Sequence, residues 1–461
     1  MPMFRIAVSH IWQYRTLWAS VLLTVTSVAL FISLCINFMV AILQADAWVF
    51  EQPDIQPGGR ESYLEIGANL LIYSGIPSLI VLGFVAINVA YQLKRSQALW
   101  VLAGALPRQV VSIFAFQMMA ISLLGSIAGI GLSLVIQPSI NRLLFSWNQA
   151  PDAVLPLSYS PLGFAITLII VAGISYISGF FPVLKIQKIS ALDIRKEGVA
   201  GSSSSLWRKA VVPGAFFLFV ILPLLSTLLA IPFLPEPIYA VLATLPLGQA
   251  VVLFTALLAP LLLPGMMKIW TNIPLLKDWV PWHLARHIAT TRAETSSSTV
   301  APLMVGVGVF LSFTLVGKTG SHLAAPGDVN LFDGTLMLTP LAFTATVGTV
   351  AVIFMSTRQR GLDIVSLRRS SASYRDVFLT LLCEGIIYMI SALLLLIIPL
   401  TLQLLLLVFA LATHETALTH LDANLWVPLI IYLVGGLGVI STIVLSGQKF
   451  WHVPIQSIAA E

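Results

Sequence analysis

Long runs of residues without charged side chains recur along this chain and constrain its fold more than any other feature. Each run has about 18 residues or more, enough for an α-helix to cross about 30 Å of hydrocarbon. The runs do not alternate apolar and polar positions as membrane strands do. The sequence therefore predicts an all-α polytopic membrane protein with about ten transmembrane helices. The predicted spans are 17–43, 66–91, 110–136, 160–183, 211–234, 238–264, 299–317, 335–356, 377–403 and 425–446.

The lysines and arginines predict the orientation of these spans. With the N-terminus in the cytoplasm, all of the 24 basic side chains face inward except Arg60, Arg142 and Lys318. The positive-inside rule favours this arrangement, and an even number of spans then places the C-terminus in the cytoplasm as well. The excess of basic over acidic side chains is therefore explained by membrane insertion and by attraction to anionic lipids. We expect membrane lipids and no nucleic acid as partners.

Two segments of the chain resemble each other and indicate an internal repeat. The first, "RSQALWVLAGALPRQVVSIFAFQ", covers 95–117, and the second, "LDIVSLRRSSASYRDVFLTLLCE", covers 362–384. An offset of 267 residues places Arg108 on Arg375 and Gln117 on Glu384. Upstream, "HIWQYR" and "HIATTR" share a second match in the same order.

These matches predict two parallel four-helix halves related by an axis along the membrane normal. The first half covers 1–198, and the second covers 278–461. Residues 199–277 contain a Gly/Ser-rich linker and an inserted helical hairpin formed by the fifth and sixth spans.

The pattern resembles the FtsX-like permease family, the membrane subunits of type VII (mechanotransmission) ABC transporters. That family has a loop between its second and third helices with a charged start, two hydrophobic residues, a Gly-Ala-x-Arg-Arg-Gln turn and a helix that ends in Glu. The first copy supplies Arg95, Leu99, Gly104, Ala105, Arg108, Gln109 and, at the Glu position, Gln117. The second supplies Arg360, Asp363, Ile364, Arg368, Ala372, Arg375 and Glu384. Ser96 stands in place of the acid in the first copy, and Ser371 in place of the Gly in the second, so the two turns need not share one conformation.

The resemblance implies that each loop is a cytoplasmic coupling helix that docks into a groove on an ATP-binding subunit. Arginines suit such a contact because their planar guanidinium groups hold carboxylates with two hydrogen bonds. We expect the docking residues to be Gly104, Ala105, Leu106, Pro107 and Arg108 in the first loop and Arg368, Arg369, Ser371, Ala372, Ser373 and Arg375 in the second. Alternatively, the arginines only set the orientation of the chain in the membrane and contact lipid headgroups.

The resemblance also implies a separate ATPase. The chain contains no G-x-x-x-x-G-K-[ST] phosphate loop, so ATP and Mg²⁺ are expected in the partner and no cofactor in this chain. Two loops in one chain predict two ATPase copies for each permease chain. Segments 3–12 and 279–289 are predicted to be amphipathic helices at the inner interface, with the beginning of the following span as the alternative.

Glu384 is an acid placed within a predicted span, which makes it a candidate for function. It lies close enough to the inner face to pair with Arg375 or Arg368, so we expect a structural role in preference to a substrate-linked or proton-linked one. Cys35 and Cys383 are expected to be packing residues. The G-x-x-x-G spacing at 125–129 predicts close helix packing.

No catalytic or metal-binding pattern is present, so the chain is not expected to be an enzyme. The leading hypothesis is a permease, in the bacterial cell membrane, for ATP-driven export or extraction of a lipid, lipopeptide or antimicrobial peptide. A second hypothesis is a non-transporting mechanotransmission module that regulates an external hydrolase or a sensor kinase. An ion-coupled secondary transporter is disfavoured by the scarcity of charge in the spans.

Overall fold

A computed structural model describes residues 2–44, 59–147, 160–186, 213–214, 216–272, 279–291, 293–323, 331–369, 372–416, 419, 421 and 426–448. Every regular element in these ranges is helical, in agreement with the predicted all-α class. The chain divides into two compact units, Met1–Ala191 and Leu192–Glu461. The finer division at 198 and 277 stays a prediction.

The described residues of the first unit form six α-helices. They are α1 (Pro2–Gln13), α2 (Arg15–Gln44), α3 (Gly59–Leu70), α4 (Ile76–Leu102), α5 (Pro107–Trp147) and α6 (Pro161–Ile186). A π-helical turn, Leu71–Gly75, joins α3 to α4. Within this unit α2 packs along α5, and α6 packs on both α4 and α5.

The second unit begins its described part with the predicted hairpin. Its helices are α7 (Leu222–Ala230), α8 (Pro237–Leu242), α9 (Leu245–Trp270), α10 (Val280–Thr291), α11 (Ala293–Leu323), α12 (Leu331–Met355), α13 (Thr357–Arg369), α14 (Tyr374–Thr413) and α15 (Trp426–Gln448). The helix α9 packs on α11 and α14, so the hairpin is anchored to its own unit. Val220, Leu247, Val251, Phe254 and Leu406 are buried together at this junction.

Seven helices among the described residues are long and apolar enough to cross a membrane. They are Arg15–Gln44, Gly67–Leu93, Arg108–Ser139, Pro161–Ser178, Pro237–Trp270, Ser297–Leu323 and Tyr374–Thr413. Three shorter apolar helices, Phe217–Phe233, Pro340–Met355 and Tyr432–Gln448, lie where the remaining spans are predicted. The membrane character is thereby supported, while the count of spans and the side on which the termini lie stay predictions.

The same helix pairs are in contact within each unit. In the first unit α5 packs on α1, α2 and α6, and α4 packs on α6. In the second unit α14 packs on α10, α11 and α15, and α12 packs on α15. Matching pairs in matching order are the contacts expected of an internal repeat, which itself stays a prediction.

Two smaller predictions concern cysteines and the N-terminal helix of each half. Cys35 and Cys383 are free and buried, as expected of packing residues. Segments 3–12 and 279–289 fall on α1 and α10, both separate helices. The helix α10 buries Trp282 and Ala285 and exposes His283, which gives it the two faces of an amphipathic helix. Its position at a membrane surface stays a prediction.

Candidate functional site

The first predicted docking loop is a tight turn between α4 and α5. The N–H of Gly104 donates to the carbonyl of Val101 at 3.0 Å, and the N–H of Ala105 donates to the carbonyl of Trp100 at 2.9 Å. This pair of bonds is the Schellman ending of a helix, which requires a left-handed residue after the cap. Gly104 has a φ of +95°, and glycine adopts it without a clash from a Cβ atom.

The helix α5 begins immediately after this turn. The N–H of Leu106 donates to Oε1 of Gln109 at 3.1 Å, so the Gln109 side chain satisfies a backbone group that the helix leaves unpaired. Pro107 is the first residue of α5, a position where its missing N–H costs nothing. The turn is therefore short and held at both ends.

The second predicted docking loop, between α13 and α14, repeats these contacts. The N–H of Ala372 donates to the carbonyl of Leu367 at 3.1 Å. The N–H of Ser373 donates to Oδ2 of Asp376 at 3.2 Å, and the N–H of Asp376 donates to Oγ of Ser373 at 3.2 Å, which completes a capping box.

The contacts of the two turns obey the offset of 267 found in the sequence. Ala372 corresponds to Ala105 and Leu367 to Trp100, and the Ser373–Asp376 pair corresponds to Leu106 and Gln109. The helix-ending bond is thus present in both turns, although serine replaces glycine in the second. Ser371 itself lies outside the described residues.

The two turns differ in the side chains that they expose. Leu99, Leu102 and Leu106 of the first are 56 %, 57 % and 63 % exposed, and Arg108 is exposed beside them. In the second, Arg369 and Arg375 are exposed. The Arg368 guanidinium lies 5.4 Å from the centre of the Tyr374 ring, within the range of a cation–π contact.

Behind the first turn, a hydrogen-bonded cluster joins α1 to α4 and α5. Nε2 of Gln117 donates to the carbonyl of Ala7 at 2.9 Å and to Nδ1 of His10 at 3.2 Å. Because an amide nitrogen only donates, Nδ1 of His10 accepts, and Nε2 carries the proton that is donated to Oγ of Ser96 at 3.1 Å. The His10 ring is buried, and its centre lies 4.6 Å from the centre of the Trp100 ring, with the two planes tilted by 59°. The cluster fixes α1 against the helices that carry the turn.

The surroundings of His10 favour its neutral form. Burial lowers the pKa of His10 from 6.5 to about 4. The unfolded chain therefore binds a proton at this position at a higher pH than the folded chain does. His10 therefore does not lower the free energy of unfolding above pH 6.5. As the pH falls from 6.5 toward about 4, the free energy of unfolding decreases.

We expect the folded protein to lose thermal stability between about pH 7 and about pH 4.5, with His10 as one cause. Replacing His10 with Gln, which does not titrate, should make this loss smaller. His283→Gln is the control, because His283 is exposed on α10. The measurement is the midpoint of thermal unfolding in detergent at the two pH values. An equal loss in the wild type and in His10→Gln would show that His10 does not contribute.

Behind the second turn lies a buried ion pair. Arg360 of α13 donates to Oε1 of Glu384 of α14 at 3.2 Å, with side chains 6 % and 3 % exposed. The Tyr388 hydroxyl donates to the same oxygen at 2.9 Å. Nη1 of Arg360 donates to Oγ of Ser446 on α15 at 3.5 Å. The partner of Glu384 is thus Arg360, whereas the sequence analysis named Arg375 or Arg368. Both of those lie at the turn, while Arg360 lies further back along α13, beside α14.

Gln117 and Glu384 occupy equivalent positions in the repeat, and each is the buried polar centre behind its turn. Their partners differ: Gln117 bonds to α1, while Glu384 bonds to Arg360 of α13, which in turn donates to Ser446 of α15. Sequence reasoning included Arg360 among the motif residues but gave it no partner. Its spacing of four and seven residues from Ile364 and Leu367 was the signal that could have identified it, because this spacing puts Arg360 on the apolar face of α13.

The described residues contain no group of three or more His, Cys, Asp or Glu side chains that could hold a metal ion. Among the described residues, each turn exposes side chains at the junction of two helices, and their docking role stays a prediction.

Comparison with known proteins gives a family match. Residues 70–191, which include the whole first turn, match a family model described as FtsX-like permease C-terminal. No curated protein and no solved structure matches the chain.

Proposed function

We propose that this chain, whose residues 70–191 match the FtsX-like permease C-terminal family model, is a member of that family and has a transport function. Members of this family are generally non-enzymatic membrane components that work with an ATPase subunit. The chain would act as the permease subunit of an ABC transporter in a bacterial cell membrane. ATP hydrolysis by two copies of a separate ATPase, which binds the ATP and Mg²⁺, would drive export or extraction of an amphipathic lipid or peptide.

The bonds that the two turns share support this proposal most directly. Both combine the same helix-ending bond with a side chain, at the same position, that caps the next helix. A duplicated turn is useful if two similar partners press on two similar points, as two ATPase subunits would.

The lengths of the helices that follow the turns provide a way to pass on such a force. The helix α5 has 41 residues and α14 has 40. At 1.5 Å per residue each is about 60 Å long, about twice the thickness of the hydrocarbon. Motion applied to the turn would therefore tilt or shift a helix that reaches across the bilayer.

The Arg360–Glu384 ion pair and the His10 cluster connect each turn to the helices packed behind it. Each one links a helix beside the turn to neighbouring helices behind it. A force on the turn would then move a packed set of helices together instead of unwinding the loop.

The test is co-purification of the chain with candidate ATP-binding-cassette subunits from the same genome, followed by measurement of ATP hydrolysis. The triple variant Arg368→Glu/Arg369→Glu/Arg375→Glu is expected to lower the yield of complex at least several-fold, because charge reversal at an interface is strongly unfavourable. Arg15→Glu is the matched control, since Arg15 is exposed and predicted to face the same side but lies outside both turns. Unchanged yield in the triple variant would refute docking at the second turn.

The same preparation separates the two functional hypotheses. Reconstituted complex that moves a fluorescent lipid or amphipathic peptide when ATP is added would support transport. ATP hydrolysis that responds to the permease without movement of any such substrate would favour the mechanotransmission module. A chain that engages no ATPase would overturn the proposal.

A further inference from the structure

The last turn of α9, the long helix of the inserted hairpin, is bonded to α10. Nε1 of Trp282 on α10 donates to the carbonyl of Thr271, the residue that follows α9, at 3.1 Å. Nη1 of Arg286 donates to Oδ1 of Asn272 at 3.2 Å, and Nη2 donates to the carbonyl of Lys268 at 3.3 Å. These bonds hold the end of α9 and the first turns of α10 in a fixed arrangement.

Basic side chains gather at this junction. We name Lys268 of α9 with His283, Arg286 and His287 of α10 the basic cluster. Lys268 and both histidines are exposed, and Arg286 is half-buried. The three residues of α10 lie on one face, since Arg286 and His287 follow His283 by three and four positions. The bond from Arg286 to the Lys268 carbonyl brings that face next to Lys268.

The basic cluster is suited to a phosphate group. Neither α9 nor α10 contains an acid, and Asp278 between them is offset in charge by Lys277; both lie outside the described residues. Two of the five N–H groups of Arg286 make the bonds to Asn272 and Lys268, and the described residues give the other three no acceptor. A guanidinium group held in place beside an ammonium group can bind two oxygens of one phosphate.

An exposed apolar surface of α9 leads to the basic cluster. We name Leu257, Leu261, Gly265 and Ile269 the apolar stripe; all four are exposed, and Ile269 is 79 % exposed. Their spacing of four residues places them along one side of the helix over about 18 Å, slightly more than half of the hydrocarbon thickness. A Cβ atom at Gly265 would meet nothing within 4 Å, so the stripe is open at its middle. An extended acyl chain matches a surface of this length.

We propose that the basic cluster and the apolar stripe together bind an anionic glycerophospholipid, with its phosphate at Lys268 and Arg286 and one acyl chain along the stripe. In the predicted orientation this end of α9 lies at the inner boundary of the membrane, so the lipid comes from the inner leaflet. The stripe alone would accept any lipid, whereas the basic cluster selects a headgroup with a net negative charge. The site lies outside both turns and does not depend on the proposed transport function.

The experiment measures lipid binding to the full chain in an uncharged detergent by native mass spectrometry. The probes are phosphatidylglycerol, which is anionic, and phosphatidylcholine, which is zwitterionic, with the same acyl chains. Lys268→Glu reverses an exposed charge and keeps the bond from Arg286, because that bond uses the backbone carbonyl. Lys268→Gln/Arg286→Gln removes both charges. Arg15→Gln is the matched control, since Arg15 is exposed and predicted to face the same side of the membrane.

The wild type is expected to bind its first phosphatidylglycerol about tenfold more tightly than phosphatidylcholine, because two basic side chains attract the anionic headgroup. Lys268→Glu and the double variant should lose most of this preference, while Arg15→Gln should keep it. Phosphatidylglycerol with a photoreactive diazirine in one acyl chain should label 257–269 in the wild type and much less in Lys268→Glu. If Arg286→Gln disturbs the end of α9, Lys268→Glu alone decides the outcome.

Several results would overturn the inference. Equal affinity of the wild type for the two lipids would show that no headgroup is selected. Wild-type affinity for phosphatidylglycerol in Lys268→Glu, or unchanged labelling of 257–269, would place the anionic lipid elsewhere on the chain. Displacement of phosphatidylglycerol by an equal concentration of glycerol phosphate would identify a site for soluble anions instead of a lipid. Because no ATPase is present in these measurements, each of these results leaves the proposed function intact.

Discussion

Replacing Glu384 with Gln is expected to destabilise the protein by about 3 kcal/mol, because it leaves the buried Arg360 without a counter-charge. Gln keeps an oxygen that can accept from Tyr388, so the loss would come mainly from the charge. Both partners are almost completely covered, and water cannot solvate the remaining cation. The measurement is the thermal unfolding midpoint in detergent, read from tryptophan fluorescence.

The double variant Arg360→Met/Glu384→Gln should recover much of this loss. It removes the uncompensated charge, and methionine fills most of the volume of the arginine stem. Arg369→Met is the control on the same helix, because Arg369 is exposed, and it should leave the midpoint nearly unchanged. A double variant no more stable than Glu384→Gln alone would show that the ion pair is not the source of the effect.

Replacing Gly129 with Ala is expected to separate α2 from α5 and to lower the stability of the first unit by about 1–3 kcal/mol. A Cβ atom at Gly129 would lie 2.5 Å from the Thr26 carbonyl oxygen and 2.8 Å from the Leu30 nitrogen. These are backbone atoms, so no side-chain rotation can relieve the clash. The G-x-x-x-G spacing predicted close packing, and Gly125, one turn earlier, also lies against α2.

Gly131 offers a matched control on the same helix. A Cβ atom there would meet no other atom within 4 Å, so Gly131→Ala should be neutral or slightly stabilising. Thermal unfolding of the two variants in the same detergent makes the comparison. Equal midpoints for Gly129→Ala and Gly131→Ala would contradict the close approach of α2 and α5.

The candidate site was partly accessible from the sequence. The positions of both turns follow from the repeated segments, and their caps follow from residues with known local preferences, such as Gly104 after a helix and Ser373 before one. These contacts span only three to five residues, so the local sequence contains all the participants. The docking role of the turns stays a prediction.

The chain's helical, membrane-spanning character is a property of the sequence, because uncharged runs of this length can satisfy their backbone groups in lipid only as helices. The partners of the buried polar residues were decided by the tertiary structure alone. Arg360 meets Glu384 across 24 positions, and His10 meets Gln117 across 107. Residues so far apart in the chain face each other only for a particular rotation and crossing point of each packed helix. Apolar runs determine neither of these, because almost any face of such a helix can be buried.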